Sequence, residues 1–581
     1  MQREAIHHTP SHKWAYAYDL RTYHIRLRTK KNDVEDVVMV AGDKYDWNGN
    51  LQEIVMEKIA SDQLFDYWEG VIIPKYKRFS YGFRMHAGTE TLWKIETGFY
   101  AQQPTPPGGY FEVPYIHEVD LFDAPDWAKN AVFYQIMVDR FNNRNKENDH
   151  DYVRPWGEKP DIHSHFGGDL QGILEKLDYI SDLGVNAIYL TPLFTSPSNH
   201  KYDTVDYHTI DPQFGDLELL KKLVDECHKR SIRVVLDAVF NHVSEQFPHF
   251  QDVLKNGEKS KYKDWFHLNH FPVAVQDGKA NYDTFGFYGN MPKLNTANPE
   301  VKKYLLDVAV HWIREADIDG WRLDVADEID HHFWREFRGA VKAVKYDTYI
   351  IGEVWGDALR WLQGDQFDSS MNYPFTNSVL DFFSNNGRHA SDFAEEVNRL
   401  LVRYPQQTNE ALLNLLSSHD IPRSLTRMGG DKRRAKLAAV FMMTSMGVPC
   451  VFYGDEVGIQ GGGDPDCRKC MEWDEAKQDR DLHDFYRIVI SLRKKHEALR
   501  CGRFRFLQAS SEKATFVYER MNNKQHFTIW MNNTEEDVFL AHPMLAGGWR
   551  DALTEEEVAT FKDQLRIELE PMGYRILYRN I

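Results

Sequence analysis

The chain has 581 residues, more than one hydrophobic core usually organises, so we expect two to four domains. Its 70 basic and 88 acidic residues give a formal charge of −18, which disfavours nucleic acid and anionic membranes as partners and favours a neutral polar substrate. No apolar run approaches the roughly 20 residues of a membrane-spanning helix, and MQREAIHHTPSHKW at the start lacks the apolar core of a secretory signal. Five scattered cysteines suit a reducing compartment, so we expect a cytoplasmic protein.

The first 123 residues alternate polar and apolar positions, as in YHIRLRT (23–29) and YGFRMHAG (81–88). This alternation is typical of antiparallel strands that bury one face. We therefore predict an N-terminal antiparallel β-sandwich over residues 1–123.

Residues 124–501 alternate short apolar runs with amphipathic helical segments, which predicts a parallel sheet covered by helices. Eight runs are strand candidates, and a closed ring of eight leaves no unprotected edge. The fold class is therefore α/β, with a (β/α)8 barrel. The candidates are VFYQIMV (132–138), NAIYLTP (186–192), IRVVLDAVF (232–240), DGWRLDV (319–325), TYIIGEV (348–354), SSMNYPF (369–375), LLNLLSS (412–418) and PCVFYGD (449–455).

The interval after the third strand is unusually long. Residues 243–297 are rich in aromatic residues, Asn, Asp and Gly, and the next helix appears only at 298–317. Long insertions of this kind build active sites in barrels, so we predict an inserted subdomain over 243–297. Residues 502–581 return to strand-like runs between turns, which predicts a second antiparallel β-sandwich.

The fourth strand carries an unusual set of charges. Side chains alternate between the two faces of a strand, so Arg322 and Asp324 share one face and the apolar residues, including Val325, share the other. We expect the apolar face to meet the helices and the charged face to point into the barrel mouth. Asp327 and Glu328 follow the strand, where loop charges and helix caps are common.

Acidic and histidine side chains also end other strands, where barrel enzymes keep their catalytic groups. Carboxylates gathered around one pocket can bind a metal or cleave an acetal, and an isolated Arg–Asp pair can be purely structural. Three acids with an arginine and two histidines suit glycoside hydrolysis, with Glu353 in the less polar setting of a general acid. The strand-end residues are Asp237, Asn241 and His242 on the third strand, Glu353 on the fifth, and His419 and Asp420 on the seventh.

Four segments resemble the motif set of the α-amylase family of glycoside hydrolases: DAVFNH (237–242), GWRLDVADE (320–328), EVW (353–355) and SSHD (417–420). The resemblance implies a retaining mechanism, in which the carboxyls stand roughly 5–5.5 Å apart. It assigns Asp324 as nucleophile, Glu353 as general acid/base and Asp420 as transition-state stabiliser, with Arg322, His242 and His419 holding the sugar.

Further segments resemble the neopullulanase, cyclomaltodextrinase and maltogenic amylase group across essentially the whole chain: AYAYD (15–19), MPKLNTANP (291–299) and DPDCRKCMEWD (464–474). This likeness implies cleavage of α-1,4 bonds in cyclodextrins, pullulan and starch, with panose released from pullulan. It also implies a homodimer in which the N-terminal domain of one subunit covers the active site of its partner.

The same resemblance supplies further substrate-binding residues. It places His200 and Tyr202 beside the sugar that is cut, Asp464 and Arg468 on its non-reducing side, and Phe285 and Trp355 beyond the cut. Flat aromatic rings offer apolar area to sugar faces. Asp327 departs from the family's frequent Asn, which affects the expected preference for acceptors.

Two loops, NNRNKEND (142–149) and FGGD (166–169), resemble a structural calcium site of the group. Amide, carboxylate and carbonyl oxygens are the ligands of a hard cation, and a ligand-free polar loop is the alternative interpretation. Asn145 stands where Asp is common, which predicts reduced affinity. The implied ligands are Asn143, Asn145, Asn148, Asp149, Gly167 and Asp169.

Two other functions remain open from sequence. In a glucosyltransferase or isomerase of the same family, a sugar rather than water resolves the intermediate. A carbohydrate-binding protein on an inactive barrel is the non-enzymatic alternative, although inactive relatives ordinarily lack one of the acids that are present here. Cys467 and Cys470 form a CRKC pair with no second pair, so we expect no zinc site.

Overall fold

The computed structural model describes residues 1–384, 387–544 and 547–581. Eight parallel strands form one sheet, in the order sixth, fifth, fourth, third, second, first, eighth and seventh, and a parallel bridge between Met371 and Leu413 closes the ring. The predicted (β/α)8 barrel is confirmed. Its strands are Phe133–Ile136, Ala187–Leu190, Arg233–Ala238, Gly320–Leu323, Tyr349–Gly352, Ser369–Ser370, Leu413–Leu415 and Val448–Phe452.

Helices cover the outside of this ring, and in the described ranges no helix is both long and apolar enough to cross a bilayer. Residues 170–183 form two helices rather than one, because Lys176 (φ −96°, ψ 10°) leaves the helical conformation between them. The helices are Asp126–Lys129, Leu170–Glu175, Leu177–Leu183, Leu217–Lys229, Pro248–Asn256, Pro299–Ala316, His331–Val344, Tyr373–Phe383, Ala390–Leu401, Gln406–Ala411, Ser424–Arg427, Lys432–Thr444, Arg480–Lys495 and Glu497–Cys501.

The sixth strand is shorter than predicted. It ends at Ser370, and the helix Tyr373–Phe383 begins within the segment that we expected to be extended. The side chain of Asn372 caps this helix by accepting a hydrogen bond from the Phe375 N–H at 3.4 Å. A proline in the first helical turn loses no backbone bond, so Pro374 favours the helix that the strand prediction missed.

The insertion after the third strand stands at the carboxyl end of the barrel. It contains the helix Pro248–Asn256 and a small hairpin of Val275–Gln276 with Lys279–Ala280. Antiparallel bridges His242–Lys293 and Phe266–Leu294 fasten it to the end of the third strand. The insertion therefore forms one wall above the barrel mouth.

Both flanks are antiparallel β-structures, as predicted. The N-terminal one packs two sheets around an apolar core, and the C-terminal one combines a five-stranded and a two-stranded sheet. The N-terminal strands are Ala15–Ala17, Tyr23–Lys30, Asp36–Gly42, Gln52–Val55, Glu57–Ser61, Phe65–Ile72, Phe79–Ala87, Glu90–Ile95, Gly98–Tyr100 and Phe111–Val113; the C-terminal ones are Arg503–Ala509, Thr515–Met521, Gln525–Asn532, Val538–Pro543, Arg550–Asp551, Gln564–Leu569 and Tyr574–Asn580.

The N-terminal sandwich rests on the barrel through a buried polar contact. Nη1 of Arg26 donates to the backbone oxygen of Tyr404 at 2.7 Å, and Glu69 holds the same guanidinium through Nε at 2.7 Å. On the other side, the Tyr404 hydroxyl accepts a hydrogen bond from the Ala358 N–H at 2.9 Å. Ala358 belongs to the loop that follows the fifth strand, so one tyrosine joins the sandwich to that loop.

Asp319 organises the bottom of the barrel, at the amino end of the fourth strand. Its carboxylate is fully buried and lies 2.7 Å from Nε2 of His228, 2.7 Å from Nη1 of Arg233 and 2.9 Å from Nζ of Lys345. Burial alone would raise the pKa of Asp319, but the His228 hydrogen bond and the charge of Lys345 outweigh it and hold the pKa at about 2. This cluster lies on the side of the barrel opposite the mouth, so we expect it to contribute to stability rather than to catalysis.

Asp319→Asn should lower the free energy of unfolding by about 2 kcal/mol at neutral pH, because Arg233 and Lys345 would lose their buried anion and His228 its hydrogen-bond partner. Since the folded pKa is depressed, this stabilisation is present above the ordinary Asp pKa of about 3.9 and is lost as pH falls toward about 2. Thermal melting from pH 7 to pH 3 measures the difference. Asp317→Asn, in an exposed carboxylate that also pairs with Lys345, is the control; equal melting of both variants at pH 7 would contradict the prediction.

Candidate active site

A cleft of about 860 Å³ opens where the barrel strands end, beside the inserted segment. This is the face on which barrel enzymes carry their chemistry. Arg322 lies fully buried beneath its floor. The structure brings the other predicted catalytic and substrate-binding residues together along its wall: His200, Tyr202, His242, Phe285, Asp324, Glu353, Trp355, His419, Asp420, Asp464 and Arg468.

The guanidinium of Arg322 joins three carboxyl groups. Its Nη1 donates to Asp324 Oδ1 at 2.7 Å and to Asp237 Oδ1 at 3.1 Å, and Nη2 lies 2.9 Å from Glu353 Oε1. Asp324 and Glu353 therefore bind opposite nitrogens of one planar group. This places the two carboxyls on the same guanidinium group, beside each other at the cleft floor.

Strand register explains why these groups meet. In the parallel pairings Arg322 stands beside Asp237 of the third strand and Ile351 of the fifth. The Asp324 N–H continues the ladder to Ala238 O at 3.0 Å, and the Glu353 N–H continues it to Leu323 O at 2.9 Å. Both acids thus sit one step past the last strand residue, at the rim of the mouth.

Val325 does not face the helices, contrary to the strand prediction. The strand ends at Leu323, and Val325 adopts a left-handed conformation (φ 44°, ψ 44°) that turns it into the cleft wall. A β-branched residue is strained there, and such strain collects at functional sites. The turn has a direct effect: the Val325 N–H donates to Glu353 Oε2 at 2.9 Å.

Burial dominates the electrostatics of this cluster. It raises the pKa of Asp324 well above the usual range and also raises the pKa of Glu353, while Arg322 opposes the rise at both. Burial raises the pKa of Asp237 to about 6. Because three buried carboxyls share one cation, full ionisation would leave two uncompensated negative charges, and the cluster therefore retains a proton near neutral pH.

Asp237 takes a larger part in the site than the sequence predicted. It ends the third strand, but no role beyond the shared motif was assigned to it. Its Oδ2 accepts hydrogen bonds from the hydroxyls of Tyr189 at 2.5 Å and Tyr202 at 2.9 Å. The register of the third and fourth strands, which sets it beside Arg322, is the signal that could have identified it.

The residues after Asp324 were also underestimated. Asp327 and Glu328, expected as loop charges or caps, line the cleft, and Glu328 pairs with Lys293 of the insertion at 3.0 Å. Burial raises the pKa of Asp327, and the charge of Glu353 adds to the rise. Their position directly beyond a catalytic strand end was the available signal.

The histidines of the site are neutral hydrogen-bonding groups. His419 stacks on Tyr202 with ring centroids 5.2 Å apart, and its Nε2 lies 2.6 Å from the Tyr202 hydroxyl. Burial lowers the pKa of His242 to about 3 and that of His200 to about 3. Uncharged imidazoles can donate to or accept from sugar hydroxyls without adding charge to the cleft.

Charged and aromatic side chains both line the cleft. Arg468 pairs with Asp464 at 3.1 Å, lies 3.4 Å from Asp420, and donates through Nε to the His419 carbonyl at 2.7 Å. Phe285, also in the cleft wall, stacks on the ring of His242 with centroids 4.9 Å apart. The walls thus combine directional polar groups with flat apolar rings, the combination that carbohydrate binding uses.

The predicted calcium ligands occupy two touching loops. Nδ2 of Asn143 donates to both carboxylate oxygens of Asp149, at 3.0 and 2.9 Å. A side chain at Gly167 would collide with this pair, because an added Cβ would lie 2.2 Å from Asp149 Oδ1. The buried Oδ1 of Asn143 has no hydrogen-bond partner among the described residues. An unsatisfied buried oxygen beside a carboxylate fits a hard cation.

The remaining predicted ligands adjoin this pair. Oδ2 of Asp169 accepts the Asn145 N–H at 2.7 Å, and the Asn148 N–H donates to the Asn145 carbonyl at 3.1 Å. In the described ranges no three His, Cys, Asp or Glu side chains surround a common metal position. Such a site would therefore rely on amide and backbone oxygens with only two carboxylates.

Comparison with known proteins supports this picture along the chain. Three family models match: the N-terminal ig-like domain of alpha amylase over residues 1–117, the alpha amylase catalytic domain over 135–502, and the C-terminal domain of maltogenic amylase over 504–576. A cyclomaltodextrinase of Geobacillus thermopakistaniensis (strain MAS1) is 52% identical, over 100% of this chain and 99% of that protein. Neopullulanase 2 of Thermoactinomyces vulgaris is 44% identical over 100% of both chains.

A solved structure of a cyclomaltodextrinase superposes with a TM-score of 0.95 at 50% identity, covering 100% of both chains. Agreement at this level extends to all three structural regions, since the superposition omits neither sandwich. Because the catalytic-domain model alone spans most of the chain and relatives match it from end to end, this chain belongs to the α-amylase family and is a glycoside hydrolase.

Proposed function

We propose that the protein is a retaining hydrolase of α-1,4-glucosidic bonds in cyclodextrins, pullulan and maltodextrins, and that it releases panose from pullulan. The observation that carries the proposal is the pair of carboxyls, Asp324 and Glu353, bound to opposite nitrogens of the Arg322 guanidinium at the cleft floor. The cyclomaltodextrinase and neopullulanase relatives support the choice of substrates.

Asp324 acts as the nucleophile in this proposal. Arg322 binds only its Oδ1, and within the described ranges no hydrogen bond occupies Oδ2, so that oxygen can attack the anomeric carbon. The attack forms a glycosyl ester and inverts the configuration; water then inverts it again, so the product retains the α configuration. The adjacent Arg322 guanidinium opposes the burial-driven rise in the pKa of Asp324 and so stabilises the ionised form that attack requires.

Glu353 acts as the general acid and then the general base. Its raised pKa, caused first by burial, keeps a proton available for the leaving glycosidic oxygen. Once ionised, it draws a proton from the water that cleaves the ester. Asp420, within 3.1 Å of His419 Nε2, is placed to hold ring hydroxyls as positive charge develops on the sugar.

Asp324→Asn should lose nearly all hydrolysis and keep its fold, because an amide cannot form the ester intermediate. The measurement compares rates on β-cyclodextrin, pullulan and soluble starch, and identifies panose among the pullulan products by chromatography. Asp307→Asn, on the exposed face of the helix Pro299–Ala316, serves as the control. Turnover by Asp324→Asn at the control's rate would exclude the assigned role, whereas predominant transfer products from the native enzyme would favour the transferase alternative.

The descending limb of the kcat/KM profile should lie above pH 4.3, the ordinary pKa of Glu. The acid must be protonated to act, so activity falls as pH rises through the Glu353 pKa, which burial has raised. Rates on a maltooligosaccharide from pH 4 to 9 measure the limb, and Glu353→Gln should remove it. A limb at or below pH 4.3 would show that another group controls it.

We propose in addition that the two loops around Asn143 and Asp149 bind a structural Ca²⁺ ion. Support comes from the unsatisfied Asn143 oxygen and from the closely fitted glycine at 167. Ligands would be Asn143, Asn145, Asn148, Asp149, Gly167 and Asp169. A bound ion would hold the loop after the first strand against the helix that Asp169 caps.

Calcium should raise the melting temperature of the native protein, because a ligand that binds only the folded state stabilises it by mass action. Asp149→Ala should remove this response. Differential scanning fluorimetry with and without CaCl2, after chelation, makes the comparison, and Asp151→Ala, a neighbouring exposed acid, is the control. An unchanged melting temperature at millimolar calcium would count against the site.

We also propose a cytoplasmic homodimer. All five cysteines are free, four of them buried, which suits a reducing compartment. The N-terminal sandwich exposes several large apolar side chains, including Tyr45, Val55 and Ile73, and their burial against a second subunit would favour association. Sedimentation equilibrium should give twice the 68.1 kDa chain mass. Val55→Lys should shift the equilibrium toward a single chain; a monomer for the native protein would reject the dimer.

A further inference from the structure

Trp355 presents a single free face to the cleft. It follows Glu353 by two residues and is 49% exposed, yet it lines the cleft wall. Its other face is covered by Tyr373, whose ring lies parallel to the indole with centroids 3.8 Å apart and an interplanar angle of 0°. Tyr373 itself is 1% exposed. One buried ring thus supports one exposed ring.

The support beneath Trp355 is itself fixed. Tyr373 is the first residue of the helix that follows the sixth strand. The N–H of the preceding Asn372 donates to Leu413 O at 2.8 Å, and its side chain donates to Asn414 Oδ1 at 2.8 Å. One turn later, Thr376 Oγ1 donates to Leu415 O at 2.7 Å. The seventh strand therefore anchors the helix start that carries the tyrosine.

Holding the Trp355 ring rigid before binding lowers the entropic cost of binding a sugar. An exposed tryptophan on a loop would lose side-chain freedom on binding a sugar, and this loss subtracts from affinity. A stacked partner removes that freedom in advance.

We propose that the ring of Tyr373 is a positioning element that holds Trp355 ready to receive the sugar on the leaving-group side of the cut. This inference rests on the proposed function and deepens it. It assigns to a buried residue, outside the cleft lining, a share in selecting substrates whose leaving group is a sugar. The stack rather than the tyrosine hydroxyl carries the effect.

Tyr373→Leu removes the ring at similar volume, and Tyr373→Phe keeps it. Two substrates separate the contributions: β-cyclodextrin, whose leaving group is a glucosyl chain, and 4-nitrophenyl α-maltoside, whose leaving group is an activated phenol. For Tyr373→Leu, we expect KM for β-cyclodextrin to rise about fivefold, the scale of one aromatic contact, and kcat/KM for the aryl maltoside to stay within about twofold. Tyr373→Phe should match the native enzyme on both.

A double-mutant cycle adds a second readout. Trp355→Leu should show the same selective loss, and combining it with Tyr373→Leu should add nothing, because the tyrosine acts through the indole. Equal losses on both substrates would identify a merely structural role and overturn the proposal. Loss in Tyr373→Phe equal to that in Tyr373→Leu, additive effects in the double variant, or no change in any variant would overturn it as well.

The experiment needs separate controls for misfolding of a variant and for failure of the proposed function. Should the leucine variant fail to fold, Tyr373→Met, whose unbranched side chain adapts to irregular space, takes its place in every comparison. Failure of the proposed function would appear in the native enzyme, as absent turnover of β-cyclodextrin. Failure of the positioning role would appear only in the variants, with the native enzyme fully active.

Discussion

Three buried carboxyl groups surround the guanidinium of Arg322, and neither the cation nor the acids would be stable at this depth alone. Removing an arginine from water is costly unless hydrogen-bonded anions receive it, and the same holds for each carboxylate. Asp237 and Asp324 bind one nitrogen, Glu353 the other. The arrangement gathers three acids around one cation at the carboxyl end of the barrel, where full ionisation of the acids would leave two uncompensated negative charges.

The barrel supplies that arrangement through geometry rather than through local sequence. Parallel register sets Arg322 beside Asp237, and the closed ring turns all strand ends toward one opening. The two ends of the fourth strand serve different purposes. Asp319 at its start binds His228, Arg233 and Lys345 at the barrel bottom, whereas Asp324 past its end faces the cleft. Two aspartates five positions apart thus serve stability and chemistry separately.

Sequence predicted the features that depend on periodicity. Seven of the eight strands lie within the predicted runs and the eighth begins one residue early, at Val448, and acids at the strand ends meet in the cleft. The errors arose where periodicity stops. Alternation placed Val325 with the apolar face, but the strand had ended and a left-handed turn redirected it. The sixth strand was drawn too long because a helix cap at Asn372 competed with it. The Trp355–Tyr373 stack joins the loop after the fifth strand to the start of the helix Tyr373–Phe383, and no local pattern encodes such a pairing.

Tyr404 connects the N-terminal sandwich, through hydrogen bonds, to the loop that carries Glu353 and Trp355. Its backbone oxygen is held by Arg26 of the sandwich, and its hydroxyl holds the Ala358 N–H, three residues beyond Trp355. Contacts from outside the barrel therefore help to hold the loop that begins with Glu353. If only the sandwich were exchanged between relatives, the new sandwich would meet a Tyr404 segment that is not matched to it. The smallest part that can be exchanged in this architecture therefore includes the segment around Tyr404 and is larger than the domain.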